Sequence, residues 1–346
     1  MAAFAQYSLI GALIFVAIAL VMNLVVVASQ NRVVGHPRVV AAASDAAAAG
    51  SAGATSKTVS AALSAGGSAS TSAATATLER DADAELAELD DEPPAPAKKA
   101  AKQSVAPKKT AALNVGSLAT GFTVVAWALI TAYIIARWAQ AGHIPLINMN
   151  GYAAGLVWVI LLSAIVAFWR FRVRLVSVVA LVIATAMLIY ATTVEFAADP
   201  LVPALQNSVL LTLHVGFAII ASGAGCVAFA GAALYLLYPH IHRLKTPRAT
   251  FDEISYKGAV VTFPLWTIMV LFGALWANTA WGTYWSWDPK ETAALVTWLI
   301  YAAFLHARVV GGWRGTRSAW LQVLAFIAVL FTLFGNYFFG GLHSYS

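Results

Sequence analysis

WGTYWSWDPKETAALVTWLIYAAFLHAR, residues 281–308, sets two kinds of sequence side by side. Its first part crowds Trp281, Trp285, Trp287 and Tyr284 beside Gly282 and ends in Asp288, Pro289, Lys290 and Glu291. From Thr292 the chain is apolar, with no Asp, Glu, Lys or Arg before Arg308. A second apolar run, 259–276, precedes the aromatic stretch. Both runs are near the roughly 20 residues that cross a bilayer as a helix. The aromatic stretch therefore joins two membrane spans. Flat rings at that density suit a flat, largely apolar ligand at the membrane surface. The plainer reading is an interfacial belt, because Trp and Tyr favour both headgroup regions. A belt explains one or two such rings more readily than three Trp packed with a Gly and two acids. Asp288 also reads as a helix N-cap, with Pro289 at the first helical position and Glu291 completing a capping box. The two readings are compatible, because a firmly capped helix holds the aromatic stretch at a fixed angle.

Outward from this stretch the pattern repeats. The chain has 346 residues, 60% of them hydrophobic and only 10% charged. Soluble domains carry about 25% charged residues. The chain is read as an all-α integral membrane protein, since helices satisfy every backbone group inside lipid. The short alternating segments of a transmembrane barrel are absent. Eight spans are expected, at 7–29, 118–138, 152–169, 175–196, 208–238, 259–276, 292–310 and 319–339. The first is too long and too poor in basic residues for a cleaved signal peptide, so it is read as a retained helix. The fifth is over-long and should tilt or protrude.

Three regions are expected: a first helix at 1–30, a linker at 31–115, and a membrane domain at 116–346 whose aromatic loop occupies 277–291. The linker is rich in Ala, Ser, Thr and Gly, with an acidic block at 79–92 and a basic one at 98–109. Such a composition buries too little surface to fold and predicts disorder. An Ala-rich helix over 76–89 is compatible with its propensities. The net charge of +6 matters less than where Lys and Arg fall, and it does not point to nucleic acid. Arg170, Arg172 and Arg174 share one short loop; Arg243, Lys245, Arg248 and Lys257 another; Arg308, Arg314 and Arg317 a third. Positive-inside logic places these loops and the linker in the cytoplasm. The N-terminus, the 142–151 loop, the aromatic loop and the C-terminal tail then face outward. Cys226, the single cysteine, lies in an apolar run. Without a CxxC pair the chain runs no dithiol–disulfide cycle of its own.

Residues 281–308 resemble the tryptophan-rich WWD signature of the haem-handling proteins of cytochrome c maturation. The similarity is to the CcsA/ResC branch (also labelled CcsB) of system II, and it covers roughly 116–346. It implies one half of a cytochrome c synthase (haem lyase) complex in the bacterial plasma membrane. Such a protein carries haem b outward and presents it to apocytochrome c, whose CxxCH thiols add across the haem vinyl groups. A ResB-type membrane partner is implied, and a thiol-reducing protein is compatible with that chemistry. The resemblance leaves open whether the chain is itself an enzyme. No catalytic residue is assigned, because the bond-forming chemistry belongs mainly to haem and the substrate thiols.

The resemblance also sorts the histidines. His214, in LHVGF, and His343, in GLHSY, fall where relatives carry two external histidines flanking the tryptophan loop. Two neutral imidazoles supply both axial ligands of a haem iron. On periodicity alone His214 is more often a packing or hydrogen-bonding residue. The expected haem-contacting set is Trp281, Gly282, Tyr284, Trp285, Trp287, Asp288 and Lys290. Lys290 reads equally as a partner for a haem propionate or as a snorkelling cation. His306, in FLHAR, matches a transmembrane histidine that binds haem on its way out. Its bland alternative is a bond to a nearby carbonyl. No equally good intramembrane mate is visible, which argues for a site shared with the partner. His143, in AGHIPL, is a weaker candidate ligand. His240 and His242 are too few for a closed metal site, and His36 has no context. Two other classes remain open: a haem-bearing, quinol-oxidising electron-transfer subunit and a small-solute transporter. The system I CcmC or CcmF type is a nearer rival.

Overall fold

The computed structural model describes residues 1–32, 114–146, 148–194, 205, 208–241, 244–335 and 338–343. The chain divides into a unit formed by Met1–Pro37 with Leu113–Ser346, and a second, Arg38–Ala112, which lies outside the described residues. The expectations for the linker, the 76–89 helix, His36 and His242 therefore also lie outside them.

Among the described residues the first unit has eight α-helices: α1 (Ala2–Arg32), α2 (Val115–Ala141), α3 (Met149–Phe171), α4 (Arg174–Thr193), α5 (Ser208–Leu237), α6 (Arg248–Trp281), α7 (Pro289–Val309) and α8 (Thr316–Phe334). Each contains a stretch long and apolar enough to cross a membrane, so this is an all-α, multi-pass membrane protein. The spans match expectation except at helix ends. The sixth begins at Arg248 rather than 259 and runs on through Trp281. An apolar window reports only what sits in lipid, whereas a helix continues wherever its backbone bonds continue. Trp281 is thus the last residue of α6, and Gly282, left-handed at φ 76°, closes the helix with its N–H on the Asn278 carbonyl. The 34 residues of α6 span about 51 Å at 1.5 Å each, against roughly 30 Å of hydrocarbon.

Small residues bring α5 and α6 together. A Cβ on Gly258 would lie 2.7 Å from the Ala228 nitrogen, and one on Gly231 would lie 2.7 Å from the Phe251 carbonyl oxygen. Lipid tails are as apolar as Leu, so close packing of backbones, not hydrophobic exclusion, holds membrane helices together. Indole N–H groups add cross-links: Trp266 donates to the Ala294 carbonyl at 3.1 Å and Trp298 to Thr267 Oγ1 at 2.9 Å, tying α6 to α7. In the other half, buried Asn150 on α3 accepts from the Tyr133 hydroxyl on α2. It donates to the Ala191 and Val194 carbonyls at the end of α4, at 2.9 and 2.8 Å. α1 lies against α2 and α4, and Arg174 donates to its Asn23 at 3.2 Å.

Helix direction alternates, so the start of α5, the end of α6, the start of α7 and the segment after α8 gather at one end. The Arg-rich connections gather at the other, where Arg308 and Asp252 form a bidentate pair at 2.7 and 2.8 Å.

Candidate functional site: two imidazoles around a buried indole

The capping chemistry of α7 builds the first half of the site. Asp288 caps the helix by accepting from the Lys290 N–H at 3.0 Å, and Glu291 accepts from the Asp288 and Ser286 N–H groups, at 3.3 and 2.8 Å. Both members of the capping box are present, with Pro289 at the first position. The Asp288 carboxylate also reaches across to residues after α8. It accepts from the Leu342 N–H at 2.6 Å and from His343 Nδ1 at 2.8 Å. A Cβ on Gly341 would collide with Asp288 Oδ1, so only glycine lets that segment come so close.

Burial pushes the His343 imidazole down to about 4, and the Lys290 ammonium pushes the same way against the opposing pull of Asp288. The ring is therefore neutral at pH 7. Burial alone would raise the Asp288 carboxyl, but bonds from His343, Lys290 and Leu342 hold it below the ordinary carboxylate value. A neutral imidazole facing a carboxylate carries its proton on Nδ1, which puts the lone pair on Nε2.

α5 and α6 build the second half. His214 Nδ1 lies 2.9 Å from the Met269 carbonyl oxygen. A carbonyl only accepts, so Nδ1 carries the proton here too and Nε2 the lone pair. Gly273, one turn further along α6, makes room: a Cβ there would lie 2.7 Å from His214 Cε1 and Nδ1. Trp276, one turn further again and 2% exposed, joins the two rings. It lies nearly parallel to His214 at 6.2 Å and 11°, and it meets His343 at 5.8 Å. Trp281 closes edge-on against both Trp276, at 4.7 Å, and His343, at 4.9 Å.

His214, Trp276 and His343 face a cavity of about 390 Å³, within the range of roughly 300–1,000 Å³ usual for small-molecule and cofactor sites; Trp281 and Asp288 stand behind His343, outside its lining. His214, His343, Trp276, Tyr284, Trp285, Lys290 and Glu291 line its polar and aromatic side. Leu146, Met149, Val215, Met269, Val329 and Leu333 line the apolar remainder. Among the described residues no group of three or more His, Cys, Asp or Glu side chains is placed to hold a bare metal ion. Two imidazoles suffice for an iron that arrives with four porphyrin nitrogens, so the donor set fits haem better than a free ion.

The expected site residues divide accordingly. His214, His343, Trp281, Tyr284, Trp285, Asp288 and Lys290 converge on the cavity or on its histidines. Gly282 serves as the α6 cap. Trp287 is 69% exposed, outside the cavity lining, and in contact with Trp285 at 5.9 Å. Its φ of 57° lies in the left-handed region. His143 is half-buried, with Nδ1 3.2 Å from the Ile144 carbonyl oxygen, and does not line the cavity. His306 sits exposed on α7, far along the helix from Lys290. Sequence reasoning missed Trp276, Gly273 and the Met269 carbonyl. Trp276 stands at i+7 from Met269, on one stripe of α6. That register was the available signal.

Residues 146–343 match the family described as cytochrome C assembly protein. The chain is similar to the cytochrome c biogenesis protein CcsA of Guillardia theta, 36% identical over 262 residues, covering 67% of this chain and 86% of that protein. It is also similar to CcsA of Gloeobacter violaceus, 32% identical with 66% and 86% covered. With CcsA of Chlamydomonas reinhardtii it is 35% identical, with 63% and 65% covered. The matched segment begins in the loop before α3 and ends on His343, so it contains both imidazoles, the buried indole and the capped aromatic connection. The chain belongs to the cytochrome c assembly protein family, in its CcsA type.

Proposed function

We propose that the protein handles haem for cytochrome c maturation: it receives haem b, holds it at the cavity between His214 and His343, and presents it to apocytochrome c. The observation that carries this reading is the pair of committed Nδ1 atoms. Each imidazole has Nδ1 fixed on an acceptor, a tautomer in which Nε2 would be the atom to hold the haem iron. Trp276, Trp285 and Tyr284 supply aromatic surface, Trp281 backs Trp276 and His343, and Lys290 supplies a cation for a propionate. The protein's own work is to orient the macrocycle and limit water and oxygen at the iron. The thiols of CxxCH then add across the vinyl groups, each forming one C–S bond and delivering its proton to the other vinyl carbon. Those thiols must be reduced beforehand. The only cysteine, Cys226, is buried, so a separate thiol-reducing protein fits that role.

The exposed position of His306 on α7 supports a second, transmembrane haem position completed by a ResB-type partner. The clustering of Arg at the opposite end supports an outward-facing cavity, in what we read as a bacterial plasma membrane. Substituting either axial histidine tests the reading. His214→Ala and His343→Ala should each lose most bound haem and the bis-imidazole absorption bands, with the protein still folded by circular dichroism. Unchanged bands in both variants would sink the assignment. Loss of outer haem in His306→Ala would support transit through the membrane position, and normal filling would count against it.

A further inference from the structure

At the end of the bundle away from His214 and His343, a groove of about 850 Å³ opens between the ends of α3 and α5, the start of α6 and the α7–α8 connection. Its charges do not balance. Asp252 is taken by Arg308 at 2.7 Å and by the Gly315 N–H at 3.0 Å, and Glu253 is paired with Lys257 at 3.2 Å. Arg170, Arg248 and Arg314 also line the groove, and among the described residues none of them has a carboxylate at ion-pair distance. Arg248 is held in place: its Nε donates to the Tyr235 carbonyl at 3.1 Å and its guanidinium carbon sits 4.0 Å from the Tyr235 ring centroid. That leaves its Nη groups for an acceptor. Guanidinium forks match the oxygens of a phosphate in two-point contact. Trp169 and Trp313, 63% and 41% exposed, adjoin Arg170 and Arg314 in sequence. Exposed Trp at a helix end marks the headgroup level, and basic pockets between membrane helices at that level bind anionic headgroups.

We propose that this groove is a binding site for the phosphate of an anionic phospholipid headgroup. Three cations in excess favour a headgroup with no compensating amine. The flanking indoles place the acceptor at lipid depth, where the phosphate arrives with acyl chains attached. The lipid phosphate would bridge Arg170 of α3, Arg248 of α6 and Arg314 of the α7–α8 connection, adding to the tie that Asp252 already makes from α6 to that connection.

The test uses the full-length protein in detergent and in nanodiscs. Bound lipid is read by mass spectrometry, and the melting midpoint is followed as phosphatidylglycerol, phosphatidylcholine or inorganic phosphate is added. The wild type should retain phosphatidylglycerol several-fold over phosphatidylcholine and melt higher with it, and inorganic phosphate should do neither. Arg170→Gln combined with Arg314→Gln should abolish the preference. Both side chains are exposed, so this variant folds even if Arg248→Gln does not. Arg317→Gln removes a charge from the same end but outside the groove, and it should behave as wild type. Wild-type preference in the double variant overturns the proposal. So does an equal loss in Arg317→Gln, which marks diffuse surface attraction, or equal stabilisation by inorganic phosphate, which marks a soluble-anion site.

Discussion

Asp288 does two jobs with one carboxylate. It ends the orphaned N–H groups of α7, and it fixes the tautomer and angle of His343. Its capping role follows from residue type and spacing alone. Its hold on His343 does not, because the two residues are 55 positions apart and only the fold joins them. The same contact makes a pH prediction. An unfolded histidine titrates near 6.5, whereas burial, aided by Lys290, takes His343 down to about 4. The unfolded chain thus binds a proton that the folded chain refuses. The ring's contribution is fully present above about pH 6.5 and is lost as pH falls toward about 4, by about 3 kcal/mol at most. Asp288, held below its ordinary value, adds to the loss only at still lower pH. Melting of haem-free protein between pH 7 and 4.5 should therefore fall more steeply in the wild type than in His343→Gln. Parallel slopes would show that His343 titrates normally.

At the scale of the element, α6 carries the site's geometry. Met269, Gly273 and Trp276 follow one another at helical spacing, so a single stripe supplies an acceptor, a gap and a ring. This was poorly legible in sequence. A helix that faces lipid on one side and protein on the other is apolar all round, so periodicity does not mark the inner face. A glycine in such a run reads equally as packing or as clearance. His306 was obscured for the same reason: its helix is apolar on both faces, and only the fold shows that it points outward. The ends of the spans were missed where a polar helix runs on beyond the lipid, as at Arg248. The spans themselves, and the capped start of α7, were legible because length and cap chemistry are local. Gly273→Ala separates stability from binding. Alanine favours a helix interior by about 1 kcal/mol over glycine, yet its Cβ would strike the His214 ring. We expect an unchanged or higher melting midpoint with several-fold less retained haem. Normal retention would show that the ring adjusts.

Over the whole molecule, the two ends of the α5–α8 half are held by different chemistry. The cavity end relies on rings and neutral imidazoles, and the opposite end on a nearly dry ion pair. Arg308 and Asp252 expose only 4% and 12% of their side chains. Removing one member strands a buried charge and costs about 3–5 kcal/mol. Asp252→Asn should therefore lower the melting midpoint sharply, while the absorption spectrum of the protein that remains folded stays that of wild type. A small change in midpoint would mean that water reaches the pair.

The shared carboxylate also imposes an order on biosynthesis. While α7 is being inserted, Asp288 has only its own helix to serve. The segment that brings Leu342 and His343 follows dozens of residues later, after α8 has turned back toward it. The grip on the His343 imidazole thus forms only after α8 has been made, and a chain with seven helices inserted carries the capped start of α7 without that latch.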